Sequence, residues 1–133
     1  MKNSEEIKNA KAENFYYIGK RLREIRDDLI AKDDVSDKRD SFFSRKNVCD
    51  RLGIDYSTMT NVERGTISIT TFKLIMYYYT VGYNPMWIIL EDNEFIPQKN
   101  LGENLFLKED LQKDFKALEG IVSQALSDFK SKL

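Results

Sequence analysis

The sequence predicts an all-α protein: five helices form one domain, and a further amphipathic helix follows it. Three observations predict this. Ile18, Leu22, Ile25 and Leu29 fall at steps of four, three and four, the repeat of a helix with one buried face. Val48 and Leu52, then Met59 and Val62, repeat the spacing on either side of Gly53, as two short helices joined by a tight turn require. Near the end of the chain, Leu111, Phe115, Leu118, Val122, Ala125 and Phe129 extend it over about three heptads.

Along the chain, residues 1–14 are polar and mixed in charge, a frayed helix or arm. The domain is expected over 15–97 and the C-terminal helix within 98–133. The first long helix, around Ile18–Leu29, is basic early on its outer face and acidic late, at Asp27 and Asp28. The segment A-K-D-D-V-S-D-K-R-D-S that follows is charge-dense without apolar periodicity. It reads as an inserted loop, either a solvated spacer or a carrier of Lys38 and Arg39. Ser44 is placed to cap the next helix, with Phe42 and Phe43 packing just before it. Gly53 can take the left-handed conformation that ends this helix, and Asp55 can cap the one after. Cys49 is small enough for the two helices to cross closely. A helix starting near Thr70 is expected to bury Phe72, Ile75, Met76 and Tyr79, with Tyr77 and Tyr78 as core or rim. Asn84 followed by Pro85 starts a last short helix, because Pro suits a first turn that needs no donor. Trp87, Ile88 and Leu90 are expected to close the core, and Pro97 and Gly102 to mark the exit.

Composition excludes several classes of function. The 133 residues suffice for one modest core plus an appendage. With one cysteine no internal disulfide can form, which fits a reducing cytosol. With no histidine, and Cys49 on an inward helical face, a zinc site is not expected, and histidine-based hydrolase triads are impossible. No cofactor and no small-molecule ligand is expected. Apolar runs such as Met86–Leu90 are too short to cross a bilayer, and the N-terminus lacks the apolar core of a secretory signal, so a cytoplasmic protein is expected. Paired carboxylates such as Asp27/Asp28 and Asp33/Asp34 lie in charge-rich segments and read as solvating charges, not as an acid–base pair.

The net charge of −1 is unevenly spread. Residues 1–90 hold 15 Lys and Arg against 13 Asp and Glu, and residues 91–133 hold 6 against 9. The acidic excess thus lies outside the five-helix domain. Within it, Lys20, Arg21, Arg23 and Arg26, then Lys38, Arg39, Arg45 and Lys46, are the available basic clusters.

The stretch R-K-N-V-C-D-R-L-G-I-D-Y-S-T-M-T-N-V-E-R-G, from Arg45 to Gly65, carries the functional signal. Its second helix leaves Tyr56, Ser57, Thr60 and Asn61 outside, all able to hydrogen-bond to base edges or phosphates. The segment resembles the helix-turn-helix of the phage-repressor and Cro type, the xenobiotic-response-element family. The resemblance reaches upstream to I-G-K-R-L-R-E-I-R and downstream through T-T-F-K-L-I-M to N-P-M-W-I-I-L, so it spans about Phe15 to Leu90. The chain departs from the family pattern at Arg45, where Gln is usual, and at Cys49, where Ala is usual.

The resemblance implies a repressor-type regulator that binds double-stranded DNA as a homodimer. Tyr56, Ser57, Thr58, Thr60 and Asn61 would face the major groove, with Asn61 on adenine and the Thr60 methyl on thymine. Arg45 and Lys46 at the start of one helix, and Arg64 and Thr66 after the other, would contact phosphates. Arg45 is also placed to brace Tyr56. Glu63 would pair with Arg26 to fix the reading helix. Leu111, Phe115, Leu118, Val122 and Phe129 would form the dimer seam, unless the tail packs back on its own domain. Two further readings stay open: a DNA-binding antitoxin whose tail grips a toxin, and a protein-interaction adaptor on the same fold.

Overall fold

The computed structural model describes residues 3–100 and 109–132, with side chains of the last helix from Lys116 onward. Leu111 and Phe115 therefore lie outside the described side chains. The fold is all-α, with no strand among the described residues. The chain divides into two compact units, Met1–Asn100 and Leu101–Leu133.

The first unit contains α1 (Ser4–Lys8), α2 (Tyr16–Lys32), α3 (Arg45–Leu52), α4 (Tyr56–Glu63), α5 (Ile69–Thr80) and α6 (Pro85–Ile89). Of the expected frayed helix or arm, residues 3–14 show a short helix: Asn3 caps α1 by accepting from the Glu6 N–H, and a 3₁₀ turn at Ala12–Phe15 leads into α2. Helix α2 is the axis of the domain and packs against α4, α5 and α6. Its stripe of Ile18, Leu22, Ile25 and Leu29 is buried, as its spacing predicts, and meets Val48, Met59, Val62, Leu74 and Ile88 in the core.

Gly19 sets how closely α2 and α4 approach. A Cβ at this position would lie 2.1 Å from the Val62 carbonyl oxygen and 3.2 Å from its carbon. Backbone cannot move aside as a side-chain tip can, so only glycine lets α4 seat here.

The segment after α2 is ordered by polar contacts. The Asp33 carboxylate accepts from the Ser41 hydroxyl at 2.6 Å and the Phe42 N–H at 2.9 Å. The Ser41 hydroxyl holds that carboxyl below its usual pKa despite an opposing contribution from burial, and the Phe42 N–H adds to the effect. The Lys38 ammonium donates to the Ile30 and Asp33 carbonyls, closing the end of α2, and Arg39 pairs with Asp37 within a short 3₁₀ turn. This segment is an ordered connection whose charged side chains are mostly exposed.

Helix α5 buries a different face from the one expected. Thr70, Thr71, Leu74, Ile75 and Tyr78 are inside, while Phe72, Met76 and Tyr79 are exposed. Of the expected set only Ile75 is buried. The helix is apolar nearly all round, so its repeat fits two faces. The hydroxyl of Thr71 made the true one look less apolar, although it accepts from the Ser68 N–H. Leu90 is likewise 45% exposed, leaving Ile88 as the fully buried residue of α6. The unit continues past Pro97 to Asn100, because the Gln98 carbonyl accepts from the Asn84 N–H and the Asn100 N–H donates to the Gly82 carbonyl.

In the second unit, α7 (Glu109–Ser131) is a continuous amphipathic helix. Leu118, Val122 and Phe129 of the expected seam are exposed on it, as are Ile121 and Leu126. No helix among the described residues is long and apolar enough to cross a membrane.

Gly19→Ala is expected to destabilise the fold by about 1–3 kcal/mol or more, the usual cost of overpacking a tight contact. Thermal melting measures it; an unchanged transition would show that α2 and α4 need not meet at this glycine.

Candidate nucleic-acid interface

Helices α3 and α4 carry the candidate site, and their setting follows from the cap of α3 and the three residues between the helices. Ser44 caps α3 by accepting from the Asn47 N–H at 3.2 Å. Gly53 ends α3 at φ 63°, ψ 39°, the left-handed conformation expected of it. Ile54 is buried, and its N–H donates to the Cys49 carbonyl, fixing the turn. Asp55 stands at the N-cap of α4 with extended backbone, but its side chain makes no capping bond, contrary to expectation. The side chain is exposed to water, and only its carbonyl serves the helix, accepting from the Met59 N–H. The first-turn N–H groups of α4 thus have no side-chain acceptor.

Val48, Cys49, Met59 and Val62 form the buried contact between α3 and α4, with the Cys49 sulfur 3.3 Å from that of Met59. This burial leaves the opposite face of α4 outward. Tyr56 is 54% exposed, and Ser57, Asn61, Arg64 and Thr66 are exposed. Thr58 and Thr60 are half-buried. The Thr60 hydroxyl donates to the Tyr56 carbonyl at 3.0 Å, so its methyl is the group left for an outside contact. Ser57 and Asn61 lie one turn apart on one face. Lys46, on the first turn of α3, is exposed.

A buried ion triad underlies this face. The Arg26 guanidinium of α2 donates in a fork to Glu63 of α4, at 2.7 and 3.0 Å. Both side chains are nearly out of water, 9% and 2% exposed. Arg45 of α3 donates to the same carboxylate at 3.0 and 3.2 Å, and to the Tyr56 hydroxyl at 3.2 Å. Its guanidinium also lies over the Tyr56 ring, 5.3 Å from the centroid. Burial alone would lower the pKa of both arginines. For Arg26 the hydrogen bonds and charge of Glu63 outweigh it, and for Arg45 those of Tyr56 and Glu63 do, so both are raised and both stay cationic. Two guanidiniums on one carboxylate leave a net positive charge beneath the outward row.

The pairing of Glu63 with Arg26 is present as expected. Arg45 braces Tyr56, and its fork is also engaged with Glu63. Other expected cations are also engaged. Arg21 donates to the carbonyls of Trp87, Ile88, Leu90 and Glu91 at the end of α6, and Arg26, Lys38 and Arg39 have the partners given above. Lys20, Arg23, Lys46 and Arg64 are exposed, as Lys38 and Arg39 are despite their partners, and Arg23 lies beside Asp27 at 3.9 Å. The second partner of Glu63 was not anticipated. The only signal for it is an arginine where similar segments carry glutamine. Among the described residues no group of acidic or cysteine side chains could hold a metal.

Comparison with known proteins finds no matching family, no matching curated protein and no matching solved structure.

Glu63→Ala is expected to cost about 3–5 kcal/mol, since it leaves the Arg26 guanidinium buried without its counter-charge. Chemical denaturation reads this directly. A change below about 1 kcal/mol would mean that the triad does not hold α4 in place.

Proposed function

We propose that this protein is a sequence-specific regulator that binds double-stranded DNA, a repressor of the phage-repressor and Cro type acting as a homodimer. The single observation that supports it is the outward polar row of α4, presented by a turn that burial and Gly53 make rigid. Short polar side chains on an eight-residue helix fit the width of a major groove. Tyr56 and Ser57 would meet base edges at the helix start, with Asn61 and the Thr60 methyl one turn on. The uncapped first-turn N–H groups of α4 would suit a phosphate, as helix N-termini do. Lys46, Arg64 and Thr66 would hold the backbone and set register without reading sequence.

Arg45 has a positioning role in this reading. By tying the Tyr56 hydroxyl to Glu63 it limits where the ring can point, and so would restrict which base pair the ring can accept. The small positive excess of the domain predicts weak non-specific binding, so useful affinity requires two linked reading units.

Fluorescence anisotropy with a mixed-sequence duplex at low salt tests the reading. The logarithm of the affinity should fall linearly against log salt concentration, and Arg64→Ala should weaken binding uniformly and shallow the slope by about one. Asn61→Ala should instead lose about 1–3 kcal/mol at particular base pairs and little elsewhere. Absence of any salt-sensitive binding would overturn the proposal.

A further inference from the structure

Two apolar surfaces are exposed among the described residues, one in each unit. One is a shallow groove of about 550 Å³ beside α5, lined by Leu52, Ile69, Phe72, Lys73, Met76 and Tyr77. Ile69, Phe72 and Met76 on it are 74%, 58% and 64% exposed. Contiguous apolar patches of this kind mark contact surfaces, and Phe, Tyr and Met are the residues enriched at them. The other is the stripe of Leu118, Ile121, Val122, Leu126 and Phe129 on α7. An isolated helix with such a stripe is marginal in water, more so with Gly120 inside it.

We propose that the α5 groove of one molecule receives the α7 stripe of a second copy, reciprocally, so that the dimer is held by exchanged C-terminal helices. This deepens the dimeric reading given above and rests on it. Three observations select this occupant. The spacing fits: Ile69, Phe72, Lys73, Met76 and Tyr77 are ridges at three and four on α5, and Leu118, Val122, Leu126 and Phe129 are anchors at the same steps on α7. The lengths fit: Ile69–Thr80 and Leu118–Phe129 each cover about 18 Å at about 1.5 Å per residue. The charges decide between pairings. The single charge of α5 is Lys73, whereas α7 holds five acidic residues against three lysines. Setting α5 against α5, or α7 against α7, places like charges together. Over the matched stretch Leu118–Phe129, whose only charges are Glu119 and Asp128, the mixed pairing is the one that opposes unlike charges.

Sedimentation of the full-length chain tests this with two variants at exposed positions. Met76→Asp puts an acid in the groove, facing the acidic helix, and Val122→Lys puts a base on the stripe, facing Lys73. Circular dichroism should show both folded. The wild-type chain should be dimeric, and each variant alone should require at least tenfold higher concentration to associate. An equimolar mixture should recover dimers where neither variant alone forms them, because one junction is intact and the other opposes the introduced lysine and aspartate. A mixture that stays monomeric would overturn the proposal, since self-pairing of α5 or of α7 cannot be rescued this way. So would a wild-type chain that stays monomeric, with its helix in its own groove or free, or a Met76→Asp chain that dimerises normally. The same samples titrated with the mixed-sequence duplex keep the two claims apart. Dimer recovery without salt-sensitive binding would sink the DNA reading alone, and salt-sensitive binding without recovery would sink the helix exchange alone.

Discussion

The carboxylate of Glu63 is the constraint on which the candidate surface depends. It lies out of water on α4 and is held by a guanidinium from α2 and another from α3. A lone buried carboxylate would be costly, and Arg26 and Arg45 would be poorly placed without it. Buried ion groups of this kind add little net stability compared with well-packed apolar residues, yet removing one member is expensive. Their effect is to fix geometry: three helices are tied at one point, and through Arg45 the tie reaches the Tyr56 ring on the outer face. Gly19 works in the same direction from the other side, letting the α2 backbone come close to the end of α4.

How much of this was legible in the sequence depended on how local each cause was. The α3–turn–α4 unit was readable because Ser44, Gly53 and the buried positions Val48, Met59 and Val62 act within one turn of themselves. The buried face of α5 was not readable, because the helix offers two apolar faces and only packing on α2 and α4 chooses between them. The connection from Asp33 to Ser41 looked unstructured because its order comes from a carboxylate and a lysine, which leave no hydrophobic repeat. The partners of the basic clusters were illegible for the same reason. Arg21 is engaged by carbonyls 66 to 70 residues away, a partnership that nothing in its neighbourhood announces.

The engaged arginines also change what kind of binder the domain would be. Few exposed cations remain near α4, so attraction to phosphate would be local and modest. The fixed positive charge of the triad lies beneath the outward polar row of α4. Selectivity would then come from the rigid placement of Tyr56, Ser57 and Asn61, and affinity from coupling two copies. The exposed stripes of α5 and α7 are consistent with a chain that does not work alone.

Selection of bound duplexes from a random-sequence pool by the full-length protein tests the central claim most directly. The account predicts enrichment of a two-fold symmetric motif whose half-sites lie about one helical turn apart, roughly 34–36 Å. A pool that shows no enrichment over successive rounds, with the protein folded throughout, would contradict it.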